Sequence, residues 1–199
     1  MSESRDPRLT SWVEQLVATP GLTGIDDVEE AWREHVERSL EAVPVVARYE
    51  GSIVDVGSGG GSPGIPLAAA FPDREVTLLE AQERKAAALE RFAREFPNVR
   101  VLRGRAEEQV TDCYSVAVAR ALAEPPVAAE WCLPLVAPGG AVVLFVGPSA
   151  DPGRVQRVAD RIGGGALEQV GGLLVIPKLA PTPEGFPRRP GIAKKRPLA

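Results

Sequence analysis

Between positions 55 and 66 the chain reads Asp-Val-Gly-Ser-Gly-Gly-Gly-Ser-Pro-Gly-Ile-Pro. Glycines let a backbone turn sharply and bring N–H groups close to a ligand. A carboxylate at Asp55, just before them, can meet an ammonium or a hydroxyl but repels a pyrophosphate. Gly59, Gly61 and Gly64 also fit the G-x-G-x-x-G spacing of dinucleotide sites. That match is weak alone, and a purely structural tight turn satisfies it too. Glu80 lies 19 residues beyond Gly61, where an acid closing a second strand hydrogen-bonds ribose hydroxyls. Its bland reading is an exposed strand-end carboxylate. One acid before the loop and one after the second strand suit S-adenosylmethionine, which has an amino-acid end, a ribose and an adenine but no phosphate.

Other chemistries find little support. There is no G-x-x-x-x-G-K-[ST] loop. The chain has one histidine, His35, so a Ser-His-Asp triad would rest on it alone. That side chain lies beside an apolar stripe, open to a packing role or to substrate contact. Two cysteines, Cys113 and Cys132, exclude a disulfide scaffold or a multi-cysteine zinc module. Both read as buried small apolar residues, and no metal is expected. No Asn-Pro-Pro-aromatic motif follows the fourth expected strand, which disfavours methylation of an exocyclic amine.

The elements that must position these groups alternate. A short helix is expected over residues 1–20. A second starts from a cap at Asp26 or Asp27 and runs to about Val43, with Val28, Trp32, Val36, Leu40 and Val43 on one face. Strands are expected at Ile53–Val56, Val76–Leu79, Val99–Leu102, Ser115–Ala119 and Ala141–Val146, with two short ones near 166–170 and 173–177. Helices are expected from about Gly64 to Phe71, Glu83 to Phe96, Pro125 to Val136, and over 151–162. This alternation predicts an α/β fold with a mostly parallel sheet and helices on both faces. Five prolines in 180–199 predict an extended, irregular tail. The expected organisation is one domain: an N-terminal helical segment 1–50, a core 51–178 and a basic tail 179–199.

At 199 residues, 44% hydrophobic and 25% charged, the composition is that of a globular protein. No apolar run reaches the ~18 residues of a membrane span, and the first six residues lack the pattern of a signal peptide, so a cytoplasmic protein is expected. The net charge of −4 is unevenly placed: residues 178–199 carry +5 and the rest −9. A basic end on an acidic body can bind phosphates by counterion release; a solvated tail is the alternative.

An ordered set of blocks resembles one family, the bacterial small-subunit (16S) rRNA guanine-N7 methyltransferases, also called glucose-inhibited division protein B. The blocks are Leu22-Thr23, Trp32 to Leu40, Asp55 to Ala68, Leu78-Leu79-Glu80 with Arg84-Lys85, Gly104 to Glu108, Ala119-Arg120-Ala121, Trp131 to Pro134, Pro138-Gly139-Gly140 and Pro187 to Lys195. The resemblance implies a class I S-adenosylmethionine-dependent methyltransferase, Rossmann-like, with seven strands of which the last is antiparallel. It implies that Gly57 and Ser62 line the cofactor, that Ala106 and Glu107 sit at the adenine, and that Arg120 meets the cofactor or the target base. Arg188, Arg189, Lys194, Lys195 and Arg196 would hold 16S rRNA or a small-subunit precursor, and a monomer is expected. Guanine N7 offers a lone pair and carries no proton, so its methylation needs in-line positioning more than a base. Arg120 and His35 are the residues expected nearest the chemistry. Three positions depart from the family: Val146 before Gly147 where a lysine is usual, Gly21 for asparagine, and Arg38 for aspartate. The alternatives are a divergent methyltransferase acting on another RNA or a small molecule, or a module that binds cofactor or RNA without turnover.

Overall fold

The computed structural model describes residues 5–199; the first four residues of the expected N-terminal helix lie outside it. Its centre is set by two strands that are buried at every position, β1 (Ile53–Val56) and β2 (Val76–Glu80). Parallel strands covered on both faces read as unbroken apolar runs. With β3 (Val99–Arg103), β4 (Tyr114–Arg120), β5 (Val136–Phe145), β6 (Glu168–Val170) and β7 (Leu173–Pro177) they form a seven-stranded sheet in the order β3-β2-β1-β4-β5-β7-β6. Neighbours from β3 through β5 are parallel. β7 runs antiparallel to β5, and β6 antiparallel to β7. The mostly parallel architecture with an antiparallel last strand is the one expected.

Alternation along the strands sorts side chains into two layers. Ile53, Leu78, Val116, Val143 and Val175 face α1 (Pro7–Ala18), α2 (Val28–Trp32), α5 (Gly64–Ala70) and α6 (Glu83–Phe92), packing with Trp12, Val13, Leu16, Trp32, Leu67 and Phe92. Val54, Val56, Ala117, Val142 and Leu144 face α7 (Pro125–Cys132) and α8 (Pro152–Ala159), packing with Trp131, Leu133 and Val155. Local signals start these helices. Asp6 accepts from Arg8 N ahead of Pro7, Asp27 accepts from Glu30 N, and Asp151 accepts from Gly153 N and Arg154 N. Side-chain oxygens there satisfy backbone donors that the first turn leaves orphaned.

Of the two cysteines expected to be buried, Cys132 is, but Cys113 is exposed, at the turn that leads into β4. Four expectations about the elements also need correction. The second helix is not continuous to Val43. It widens into a π turn at Arg33–Glu37, continues as α3 (Arg38–Leu40), and restarts as α4 (Val43–Val46) around Pro44. The helix from Glu83 ends at Phe92 with a 3₁₀ turn behind it. The helix from Pro125 stops at Cys132, because Pro134 has no N–H to continue it, and Val136 already pairs with Tyr114 in the sheet. β5 therefore starts earlier than expected. It passes Gly140, where a Cβ would stand 2.1 Å from Ser115 O, so the two backbones touch.

The tail is the fourth correction. It folds back and is fastened, and it holds a short helix, α9 (Ile192–Lys195). Fully buried Lys178 donates to Leu133 O (2.9 Å) and to Thr182 Oγ1 (2.9 Å), while the Thr182 hydroxyl donates to Asp112 Oδ1 (2.8 Å). Farther on, Arg188 grips Glu130 through two hydrogen bonds of 2.5 and 2.6 Å, and Ala193 is buried. Proline-rich backbone lacks ladder partners, but side-chain bonds anchor it here.

Candidate active site

The strand order reverses between β1 and β4, and open α/β sheets bind ligands beyond the strand ends at such a point. The glycine loop occupies it. Gly57 has φ +73°, and a Cβ there would fall 2.3 Å from Leu122 Cδ1, so glycine is required by conformation and by space. Five of the loop's N–H groups are already bonded within the protein. Gly57 N and Ser58 N donate to Leu79 O (2.8 and 3.1 Å), and Gly61 N donates to Ser58 O (2.7 Å). Gly59 N donates to Glu80 Oε2 (2.9 Å), and Gly64 N to Asp55 Oδ2 (3.0 Å). From outside, Trp12 Nε1 of α1 donates to Gly60 O (3.1 Å), so the N-terminal segment covers this loop.

Asp55 points away from the strand face of Val54 and Val56 and lies wholly buried under the loop. Its Oδ1 has no partner among the described residues. Burial raises its carboxyl to about 7, opposed by the Gly64 N–H. Asp55 therefore supports the loop from beneath rather than lining an open cleft. Glu80 is buried, not an exposed strand end, and its Oε1 accepts from Gln82 N (2.7 Å).

Beside the loop lies a cleft of about 380 Å³ whose walls include Gly57, Glu80, Ala106, Glu107, Leu122, Trp131 and Lys194. Gly57, Glu80, Ala106 and Glu107 were expected here. Leu122, Trp131 and Lys85 line it as well and were not singled out as site residues; Trp131 and Lys85 fell only within family blocks. A second cleft of about 260 Å³ opens at the ends of β4 and β5, between Pro125, Pro126, Phe145, Val146 and Gly147, with Glu124 and Arg154 at its edge. Ala121 lines both clefts and has φ +52°. A non-glycine residue held in that region stores strain, which concentrates at functional sites. A larger depression of about 610 Å³, lined by Glu30, Arg33, Glu34, Glu37 and Arg38, lies on the outer face of the N-terminal segment without a residue of the glycine loop.

The other expected residues divide. Ser62 faces the N-terminal segment, where its Oγ lies 3.2 Å from Ser39 Oγ. Arg120 is largely buried and turned toward the same segment: Nη1 donates to Glu34 O (2.6 Å) and Nη2 to His35 Nδ1 (2.8 Å). Burial, with Arg120 beside it, lowers the His35 imidazole to about 4, so the ring is neutral near pH 7. Of the basic tail, Arg189, Lys194, Lys195 and Arg196 are exposed, and Lys194 stands 5.2 Å over the Trp131 ring. Arg188 is instead committed to Glu130. Gly191 N donates to Glu107 Oε1 (3.3 Å), so the tail touches the cleft rim.

Comparison with known proteins matches this geometry. The GidB model, described as rRNA small subunit methyltransferase G, matches residues 8–157. The chain is 38% identical to the ribosomal RNA small subunit methyltransferase G of Pelotomaculum thermopropionicum over 89% of its own length and 82% of the relative's. It is 35% identical to that of Moorella thermoacetica, with the same coverages. Among solved structures, an S-adenosylmethionine-dependent O-methyltransferase from Thermotoga maritima superposes with a TM-score of 0.59 at 15% identity, covering 83% of this chain and 74% of that one, which speaks for the fold alone. This chain belongs to the rRNA small subunit methyltransferase G family.

Proposed function

We propose that this protein transfers the methyl group of S-adenosylmethionine to guanine N7 of 16S rRNA. One observation favours this cofactor over a dinucleotide. The N–H groups of Gly57, Ser58, Gly59, Gly61 and Gly64 are all bonded internally, two of them to carboxylates. Among the described residues only the Gly60 and Ser62 N–H groups of this loop lack a partner, so a pyrophosphate would find few free donors, and two carboxylates make the charge unwelcoming. A nucleoside fits the adjoining cleft, which offers apolar Leu79, Ala106, Leu122 and Trp131 with the acid Glu80 at its edge.

In this reading Glu80 accepts the ribose hydroxyls with the lone pairs that Gly59 and Gln82 leave free. Ala106 and Glu107 hold the adenine, and Gly57, Gly59, Gly61 and Ser62 form and brace the loop, with Asp55 fixing Gly64. When bound, the cofactor supplies an electrophilic methyl on a sulfonium. Arg120 adjoins Ala121, the residue that lines both clefts, and in this reading orients the reacting groups. His35 is neutral, with both ring nitrogens hydrogen-bonded, and Asp55 is sealed off. Neither serves as a base, and a nitrogen lone pair without a proton requires none. Arg189, Lys194, Lys195 and Arg196 contact RNA phosphates; Arg188 anchors the tail. We read the chain as one domain with segments 1–50, 51–178 and 179–199, acting as a cytoplasmic monomer. Among the described residues no helix is long and apolar enough to cross a membrane. Val146, apolar in the second cleft, is the feature that favours a different acceptor.

Calorimetric titration with S-adenosylhomocysteine tests the cofactor. Micromolar binding is expected for wild type and loss of it for Asp55→Ala and Glu80→Ala. Absence of wild-type binding, with or without rRNA, overturns the reading. Labelled methyl transfer to unmodified small subunits, followed by mapping of the modified atom, tests the acceptor; label on another atom or only on other RNAs would transfer the assignment to a paralogue.

A further inference from the structure

Three residues distant in sequence meet in one hydrogen-bonded line: Thr23, His35 and Arg120. We propose that Arg120 and Thr23 together hold His35 as the neutral tautomer protonated on Nε2, whose Nδ1 accepts from Arg120, making His35 the positioning residue that holds this guanidinium at the end of β4, next to Ala121. The inference rests on the methyltransferase reading only for what Arg120 does, not for how it is held.

The tautomer follows from donor counting. A guanidinium has N–H donors and no acceptor. Arg120 Nη2 lies 2.8 Å from His35 Nδ1, so Nδ1 must carry the lone pair. A neutral imidazole then carries its proton on Nε2, and Nε2 lies 3.0 Å from Thr23 Oγ1. That hydroxyl accepts from Nε2–H and also from Ile25 N (3.2 Å), within the capacity of one oxygen. An imidazolium would place N–H against N–H at Arg120, so the arrangement requires a neutral ring. The charged groups facing it are Arg120 from β4 and Glu34 from its own segment.

Backbone geometry aims the pair. Arg38 N donates to Arg33 O, five residues back, across the widened turn that contains Glu34 and His35. Such π turns recur at functional sites because they redirect side chains and carbonyls. Here the Glu34 carbonyl and the His35 ring are directed at the same guanidinium. Ser39 Oγ donates to His35 O (2.6 Å), and Ser62 Oγ of the glycine loop lies 3.2 Å from Ser39 Oγ. The turn is thus tied to the loop on one side and to the end of β4 on the other. Two hydrogen bonds occupy two of the five Arg120 N–H donors, and the remaining ones are available to the substrate or cofactor.

Nitrogen-15 NMR of the imidazole and a set of His35 variants test this together. At pH 7 the spectrum should show the Nε2–H tautomer, unchanged down to about pH 5.5. An Nδ1–H tautomer or an imidazolium at pH 7 overturns the proposal. His35→Leu keeps bulk without an acceptor; kcat should fall roughly tenfold to hundredfold, as lost positioning does, with S-adenosylhomocysteine affinity within about threefold. His35→Gln offers a side-chain carbonyl to Arg120 and should recover much of that loss. Thr23→Val, a milder change, should alter the ring's nitrogen-15 signals and lower kcat in the same direction. Equal kcat in wild type and His35→Leu, or equal loss in the Leu and Gln variants that tracks melting temperature, would reduce the contact to a structural tether and overturn the proposal. Should the wild type bind S-adenosylhomocysteine yet methylate no RNA, the functional reading fails while the tautomer still decides how Arg120 is held.

Discussion

The two segments outside the alternating core are fastened by different forces. The N-terminal segment enters the core itself: Trp12, Val13, Leu16, Val36 and Val46 are each at most 1% exposed. Its links to the strand ends are buried or neutral, Trp12 to the Gly60 carbonyl and His35 with the Glu34 carbonyl to Arg120. The C-terminal tail is fastened chiefly by charge, through Arg188 with Glu130, the Gly191 N–H with the Glu107 carboxylate, and Thr182 with Asp112. Burial is insensitive to ionic strength, and the Arg188–Glu130 pair, with Glu130 2% exposed, is screened little; the exposed cations of the tail are screened within ~10 Å at moderate salt. The difference assigns the two ends different work. One end supports the glycine loop through buried contacts; the other lies at the cleft rim with its cations Arg189, Lys194, Lys195 and Arg196 exposed.

The largest test of this contrast is Trp12→Ala. The indole is 1% exposed and its N–H satisfies the Gly60 carbonyl. Truncating a buried tryptophan costs ~3–5 kcal/mol, and the loop loses its outer support. Urea unfolding should show a loss of that order, and S-adenosylhomocysteine should bind more weakly. A loss below about 1 kcal/mol would mean that the N-terminal segment is an ornament of the fold rather than part of its core.

Arg188→Ala probes the other end. Glu130 is 2% exposed and its side chain is bonded to Arg188 through both oxygens. Removing one partner of a buried pair leaves an uncompensated charge and costs ~3 kcal/mol, while exchanging both for apolar residues is near neutral. Arg188→Ala should therefore destabilise clearly, and Arg188→Met combined with Glu130→Leu should recover most of the loss in urea unfolding. Equal destabilisation by the single and the double variant would show that the tail is held by packing of Phe186 and Leu198 instead.

How much of this was legible in the sequence differs between the same two regions. The strands were legible because Ile53–Val56 and Val76–Glu80 are apolar runs between turn residues, and the glycine loop because its composition suits little else. Glu80 was legible through its spacing from the glycine loop, and Ala106 only through the family resemblance. Arg120 and His35 were legible as residues of interest, but their contact was not, since it joins positions 85 apart in sequence. Ala121 carries no sequence sign of its φ of +52°, because the strain is imposed by tertiary surroundings. The π turn was hidden for a similar reason: Val28, Trp32 and Val36 keep a helical stripe whether the turn is regular or wide. In the tail, prolines announced irregular backbone correctly, but the basic run gave no sign that Arg188 would be spent on an acid in α7. Charge composition counts cations; it does not say which of them are already paired.

The smallest effect follows from that last point. If the tail meets RNA through exposed cations, removing one cation that neutralises a phosphate should reduce the slope of log K against log salt by about 1. Lys195→Ala should do this and weaken RNA binding alike for different sequences, while leaving S-adenosylhomocysteine affinity within about twofold, because Lys195 is exposed on α9 and does not line the cleft. Arg38→Ala is the matched control from the N-terminal segment. Its guanidinium already bonds Glu34 at 2.9 and 3.0 Å on the surface, so it should leave the slope unchanged. A filter-binding series at several salt concentrations separates the two. A slope lowered by Arg38→Ala and untouched by Lys195→Ala would reverse the division of labour, putting the phosphate contacts on the buried end and leaving the tail as a brace for the cleft rim.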